Sequence, residues 1–159
     1  MNTSLEDYKR FMEVVSKETG IAALLPDETG LVSVNVDNTL NMNFQFSTAT
    51  GRILCFAEVG VLPADTPKEV YRDLLAAGLF GKETAGGYFA LERESDIVVY
   101  NYEFDLEEAS KDIGEFISTI EKIIQLCDLW SERIKSASKS RPADYGMENN
   151  HSTFFHIQP

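Results

Sequence analysis

The chain has no long hydrophobic run: no stretch of about 18 apolar residues occurs in it, so no membrane-spanning helix is predicted. Basic residues are scarce, since 14 Lys and Arg stand against 26 Asp and Glu, and the formal net charge is -12. Because phosphate groups are bound through cationic side chains, this balance disfavours nucleic acids and anionic membranes as main partners. Residues 1–10 also lack the charged-then-apolar order of a signal peptide, which favours a cytoplasmic protein.

Cysteine and histidine are rare as well. Cys55 and Cys127 lie far apart, each within an apolar pattern, which indicates two buried, reduced thiols rather than a disulfide framework. Both histidines, His151 and His156, lie near the C-terminus, and no cysteine or acidic cluster with metal-ligand spacing lies beside them. The rest of the chain therefore lacks the base that a hydrolytic triad usually needs.

Two other motifs fail to predict chemistry. Gly81 and Lys82 do not complete a phosphate-binding loop, because Glu83 stands where Ser or Thr must hold magnesium. A group of carboxylates is explained by a helix N-terminus and a solvated helix face rather than by acid–base work. We expect no enzyme, no cofactor and no metal site. The carboxylates are Glu107, Glu108, Asp112 and Glu115.

Hydrophobic periodicity predicts three helices and five strands in the order α-β-β-β-α-β-β-α. Short links between neighbouring strands imply a largely antiparallel five-stranded sheet with helices on its faces, which is an α+β fold. Periodicity ends after Arg141, so we expect one domain over residues 1–141 and a C-terminal tail over 142–159. The predicted helices cover about 4–19, 66–79 and 105–138, and the predicted strands cover about 31–37, 40–46, 52–62, 86–94 and 96–105.

Local signals place the ends of these elements. Thr3 and Glu6 have the spacing of a capping box and predict the start of the first helix. Thr66 and Glu69 have the same spacing around Pro67, which predicts the start of the second helix. Residues 37–38 (Asp-Asn) tolerate positive φ and predict a tight hairpin between the first two strands.

More apolar surface is predicted than one small sheet can bury. Leu54 and Phe56 make the third strand apolar on its second face, so we expect both of its faces to be covered. The last helix is predicted to be continuous over roughly 33 residues, or about 50 Å, and the first helix carries Tyr8 and Phe11. Such an excess marks a protein–protein interface, although it also fits internal packing. We favour an obligate homodimer with a second partner.

The chain resembles the class I chaperones of bacterial type III secretion, the Tir chaperone (CesT) family. The element order, the modest length and the acidity agree with that family over about residues 4–138. The most specific patch is 71–80 (YRDLLAAGLF), which is similar to the family's LL-x-x-N-x-F helix end, with Gly78 in place of Asn. Gly86 and Gly87 then match the glycine pair before a hairpin.

The resemblance implies a homodimer without enzymatic activity that holds the N-terminal segment of a secreted effector in an extended state before export. The dimer would form through the second helix and the fourth strand, that is, through Leu74, Leu75, Gly78, Leu79, Tyr88 and Phe89. The effector would add a strand beside the first strand and press apolar side chains near the first helix. Its contacts would include Tyr8, Phe11, Val15, Val32, Val34 and Phe44.

Two alternatives remain open at this point. The same fold can sequester a regulator of the secretion genes instead of an effector. An unrelated α+β protein that binds a small molecule would show a deep, enclosed pocket with converging polar groups. A further hypothesis is that Phe154, Phe155 and Ile157 in the tail dock on the sheet or in a groove, against the alternative of plain disorder.

Overall fold

The computed structural model describes residues 3–22 and 24–139 and confirms the predicted α+β order. The predicted tail, the apolar residues Phe154, Phe155 and Ile157, and the domain boundary at residue 141 lie outside the described residues. The helices are α1 (Leu5–Thr19), α2 (Lys68–Ala77), α3 (Leu106–Lys111) and α4 (Ile113–Lys139). The strands are β1 (Leu31–Val36), β2 (Leu40–Ser47), β3 (Arg52–Val61), β4 (Tyr88–Glu92) and β5 (Ile97–Asp105).

The capping box of the first helix lies one residue later in the chain than predicted. The Ser4 hydroxyl accepts a hydrogen bond from the Asp7 amide at 3.2 Å, and the Asp7 carboxylate accepts from the Ser4 amide at 2.9 Å. This pair replaces the predicted pair of Thr3 and Glu6, because a capping box needs three-residue spacing and Ser4 with Asp7 also provides it. Gly20 ends the helix at φ 69°, as predicted.

The sheet is antiparallel throughout, with strand order β1-β2-β3-β5-β4. Asp37 and Asn38 form the predicted hairpin with φ of 50° and 57°. A register shift between Glu58 and Gly60 marks a β-bulge that the sequence pattern did not predict. The order leaves β1 at one edge of the sheet and β4 at the other.

The core lies on one face of the sheet, under α1 and α4. Tyr8 of α1 stacks on Phe46 with ring centres 4.9 Å apart, and Phe116 of α4 packs between Phe11 and Phe104 at 4.9 and 4.6 Å. Aromatic pairs at these separations add to the stability that burial provides. Both helices are therefore held by side chains from the same sheet face.

Both cysteines lie in that core. Cys55 of β3 and Cys127 of α4 are fully buried free thiols. Burial raises the pKa of Cys55 well above its ordinary value and that of Cys127 to about 12. Both groups are uncharged at neutral pH and act as small apolar side chains, as the sequence predicted.

The long C-terminal helix is broken, which corrects the prediction of one continuous helix. α3 ends at Lys111, and Asp112 adopts the non-helical values φ −139° and ψ 85°. The Asp112 carboxylate then accepts a hydrogen bond from the Glu115 amide at 2.9 Å, so it caps the start of α4. A side chain that caps a new helix competes with the preceding helix for the backbone, which the apolar spacing alone does not reveal.

The second helix also differs from its prediction. Its N-cap is Pro67 without a side-chain hydrogen bond, so Thr66 and Glu69 do not form the predicted capping box. The helix ends at Ala77 rather than near Leu79, and a short 3₁₀ turn follows over Leu79–Gly81. The helix is therefore about two residues shorter at this end than predicted.

Candidate partner-binding groove and sheet edges

An apolar groove of about 460 Å³ lies between α1, the first hairpin and α4. α1 forms one wall, β1 and β2 form the floor, and α4 forms the opposite wall. Except for Glu18, Thr19 and Glu121, every side chain that lines it is apolar. The apolar lining residues are Met12, Val15, Ile21, Leu24, Val34, Val36, Met42, Phe44, Phe116, Ile117, Ile120 and Ile124.

The polar lining residues lie at the rim, because all three are exposed. Thr19 is already engaged, since its hydroxyl donates to the Val15 carbonyl at 2.8 Å and accepts from the Ile21 amide at 3.3 Å. Glu18 and Glu121 form no ion pair with any other residue in the described ranges. The groove therefore offers an apolar floor and a rim with two carboxylates.

The predicted partner-binding residues divide by position rather than by burial, since Phe11, Val15 and Phe44 are all buried. Val15, Val34 and Phe44 line the groove. Tyr8, Phe11 and Val32 are buried in the core and do not line it. The Tyr8 hydroxyl, for example, donates to the Phe44 carbonyl at 3.4 Å. Contact of all six residues with a partner stays a prediction.

The sequence interpretation missed the α4 wall of the groove. Ile117, Ile120 and Ile124 are partly buried there, and Ile21 just after α1 is exposed. A signal for this wall was present, because the apolar stripe of the last helix is wider than the seam that a single sheet contact requires. The pattern did not show which part of that stripe remains uncovered.

The free edge of β1 adjoins this groove. Within residues 3–22 and 24–139, β1 pairs only with β2, from Leu31 opposite Gln45 to Val36 opposite Leu40. Val34 and Val36 of this edge strand also line the groove. Unpaired backbone groups and an apolar surface thus occur side by side, which is the arrangement that accepts an added strand.

A second apolar surface lies at the other edge, around α2 and β4. Leu75 is 80% exposed, and Leu79 and Tyr88 are also exposed. Phe80 is 86% exposed and holds φ of 57°, a left-handed conformation that an aromatic residue rarely adopts. Leu75 shares a groove of about 160 Å³ with residues of β4 and β5.

Of the other predicted interface residues, Leu74 and Phe89 lie behind this surface, whereas Gly78 is exposed. Leu74 is buried in the core, and Gly78 ends α2 with helical φ and ψ. Phe89 is half-buried, with its ring centre 5.1 Å from that of Trp130 and 5.7 Å from that of Tyr100. The predicted set therefore divides into exposed residues and residues that hold them in place.

The second face of β3 is apolar at two positions. Leu54 and Phe56 are half-buried on the sheet face opposite α1 and α4, where they line a shallow groove of about 280 Å³ with Val99. Among the described residues, neither α1 nor α4 covers this face, so its coverage stays a prediction.

Residues 3–22 and 24–139 contain neither a metal-binding cluster nor a membrane-spanning helix. No group of three or more His, Cys, Asp or Glu side chains in these ranges is arranged to hold a metal ion. No helix in the same ranges combines the length and the apolarity needed to cross a bilayer.

Comparison with solved structures identifies the fold as that of the type III secretion chaperones. A chain of the ExsC–ExsE complex superimposes with a TM-score of 0.66 and 16% identity, covering 82% of this chain and 95% of that chain. A chain of the HopA1–SchA chaperone–effector complex superimposes with a TM-score of 0.62 and 19% identity, covering 84% of this chain and 98% of that chain. For the Yersinia pestis type III secretion chaperone SycH in complex with a stable fragment of YscM2, the TM-score is 0.55 at 18% identity, covering 75% of this chain and 98% of that chain.

The family follows from the sequence. The model of the Tir chaperone protein (CesT) family matches residues 10–131, so this chain belongs to that family. Among curated proteins, no sequence gives a significant match. The predicted resemblance is therefore confirmed.

Proposed function

We propose that this protein is a secretion chaperone that binds an extended N-terminal segment of a type III effector and keeps it competent for export. The observation that carries the proposal is the continuity between the apolar groove and the free edge of β1. Similar folds occur in complexes described as chaperone–effector complexes, which supports an effector as partner. The protein acts by binding rather than by catalysis, and its site of action is the bacterial cytoplasm.

The bound segment pairs with β1 and inserts apolar side chains into the groove. Main-chain pairing needs no particular sequence, so one edge can accept different segments, while the groove selects apolar anchors at alternate positions. Val34 serves both parts, because it lies in the edge strand and lines the groove. Such a mode leaves the effector segment extended.

The active form is a homodimer built through the α2–β4 surface. Leu75, Leu79 and Phe80 expose large apolar side chains within six consecutive residues of the chain. Solvent-exposed apolar patches of this kind are typical of interfaces between subunits. The left-handed Phe80 supports the same conclusion, because strained residues concentrate at functional contacts.

The groove does not favour the small-molecule alternative. A small-molecule site places several buried polar groups around the ligand, whereas the polar side chains here are exposed at the rim. The regulator alternative uses the same surface. The identity of the bound partner separates an effector from a regulator.

An array of overlapping 25-residue peptides tests the proposal. The peptides cover the N-terminal regions of the proteins that the native bacterium secretes through its type III apparatus and of the regulators of that apparatus. Each binding peptide is then measured by fluorescence polarisation against the wild-type protein, Ile21→Asp and Leu25→Asp. Ile21 is 44% exposed and lines the groove, while Leu25 is 65% exposed in the same loop and does not.

Ile21→Asp is expected to weaken binding by about tenfold, because it removes the apolar contact that the partner gains at the exposed part of Ile21 and places a charge in the groove. Leu25→Asp is the matched control and leaves affinity within about twofold. The hydrogen bond of 2.6 Å from the Ser16 hydroxyl to the Ile21 carbonyl involves the backbone, so the variant keeps the loop in place. Effector peptides that bind equally well to all three proteins would rule out the groove, and binding of regulator peptides alone would support the alternative.

A further inference from the structure

We infer that the groove selects segments in which a lysine or arginine flanks the apolar anchors, and that Glu18 and Glu121 make this selection. The inference rests on the proposed function and adds a specificity to it. Glu18 lies on α1 and Glu121 on α4, so the two carboxylates stand on the two helical walls of the same groove. An occupant with cationic side chains beside its anchors meets both of them.

The position of Glu18 increases the negative potential at the rim. It lies in the last turn of α1, where the helix dipole already places partial negative charge. At most helix ends a cation would occupy such a site, and here the only basic residue of that turn is Lys17, which does not line the groove. The Glu18 carboxylate is therefore repelled by the partial negative charge at the end of its own helix. A cationic group of the partner would offset both negative charges.

No positive charge from the described residues balances the rim inside the groove. Lys122 follows Glu121 in α4, but like Lys17 it is exposed and does not line the groove. The net charge of -12 adds a long-range field of the same sign. An acidic segment would place like charges at the rim at the same time as it buried its apolar anchors, which weakens its binding.

Selection from a random library of displayed 16-residue peptides tests the inference. The library is passed over immobilised wild-type protein, and clones that also bind the groove variant Ile21→Asp are removed. The remaining clones are then selected in parallel on Glu18→Gln/Glu121→Gln and on Glu13→Gln/Glu115→Gln. The second pair is a matched control, since Glu13 and Glu115 lie on the same two helices, are exposed and do not line the groove.

Wild type and the control pair are expected to enrich Lys or Arg beside apolar anchors, and the rim pair to lose this enrichment. Replacing the basic residues of a selected peptide by Gln then lowers its affinity for wild type by about threefold to tenfold, an effect of exposed ion pairs that 0.5 M NaCl largely removes. Apolar-anchored clones without a basic preference, or a preference that survives in the rim pair, would overturn the inference and leave the proposed function standing. The absence of any clone that depends on Ile21 would contradict the proposed function itself.

Discussion

The Tyr100 hydroxyl donates a hydrogen bond of 2.7 Å to the Thr84 carbonyl, and this bond fixes the loop between α2 and β4 to the sheet. Thr84 is fully buried, and its hydroxyl donates to the Gly87 carbonyl at 2.7 Å. Gly87 is required at this point, because a Cβ there would overlap the Tyr100 hydroxyl and the Asn101 carbonyl. The start of β4, and with it the exposed α2–β4 surface, depends on this contact.

Tyr100→Phe is expected to lower the free energy of unfolding by about 1 kcal/mol, because it removes one of the two hydrogen bonds to the Thr84 carbonyl and leaves the one from the Gly87 amide at 2.9 Å. Urea unfolding at one fixed protein concentration measures the change. Tyr102→Phe, on the same strand but partly exposed, is the control and should change stability by less than about 0.5 kcal/mol. Equal stability of Tyr100→Phe and wild type would show that the hydrogen bond does not hold the loop.

The bulge in β3 brings the backbone of Gly60 against α4. A Cβ at Gly60 would lie 2.9 Å from Cγ2 of the buried Ile134. Gly60→Ala is therefore expected to destabilise the fold by about 1–3 kcal/mol through overpacking. Thermal or urea unfolding measures the loss.

Ile134→Ala provides the test of that cause. Alone it removes apolar contacts and costs about 2–5 kcal/mol, but it also creates the space that Gly60→Ala needs. The loss in free energy of unfolding of the double variant should therefore be smaller than the sum of the two single losses by about 0.5 kcal/mol or more. Strict additivity would mean that the two positions do not press on each other.

The exposed α2–β4 surface predicts that the protein is a homodimer in solution. Leu75→Asp combined with Leu79→Asp is expected to convert a dimer into a monomer, since each change places a charge in an apolar interface. Light scattering with size-exclusion chromatography measures the mass at micromolar concentration. Val14→Asp, at an exposed position of α1, should leave the dimer intact. A wild-type monomer under these conditions would contradict the proposed homodimer.

Glu58 gives the stability a specific pH dependence. Burial raises the pKa of its carboxyl group above the ordinary value. The folded state therefore holds the proton more tightly than the unfolded state, and the contribution of Glu58 to stability decreases as pH rises from the unfolded to the folded pKa. Glu58→Gln should stabilise the protein at pH 7.5 by less than about 1 kcal/mol, because solvent screens the charge.

The same variant should show no advantage at a pH below the ordinary glutamate pKa, where Glu58 is protonated in both states. Thermal unfolding at the two pH values makes the comparison. An advantage of equal size at both values would assign the effect to packing rather than to the charge.

Local patterns were sufficient for most of the fold. The hairpin at Asp37 and Asn38 was predicted because alternation on both sides and two residues that tolerate positive φ agree. The break at Asp112 was not, because one capping carboxylate interrupts a stripe whose spacing stays regular across it. The β-bulge escaped prediction for a similar reason, since it depends on the fit between Gly60 and Ile134 from a distant helix.

The candidate site was predicted only in part. Alternation identified Val34 and Phe44 as inward-facing, but it could not show that Tyr8 and Val32 are covered while Val34 borders an open groove. That difference depends on which part of the sheet α4 covers, and this is decided by tertiary packing rather than by local sequence. The rim carboxylates Glu18 and Glu121 carried no sequence signal, because isolated glutamates on helices are usually solvated.

Hydrogen–deuterium exchange of β1 tests the central claim most directly. The comparison is between the free protein and its complex with an effector segment found on the peptide array. If an extended segment completes the sheet, amides of Leu31–Val36 that face the free edge exchange more slowly in the complex, together with the groove segment around Ile21. Unchanged exchange in β1, with protection confined to α2 and β4 or to the face of Leu54, would contradict strand addition at this edge.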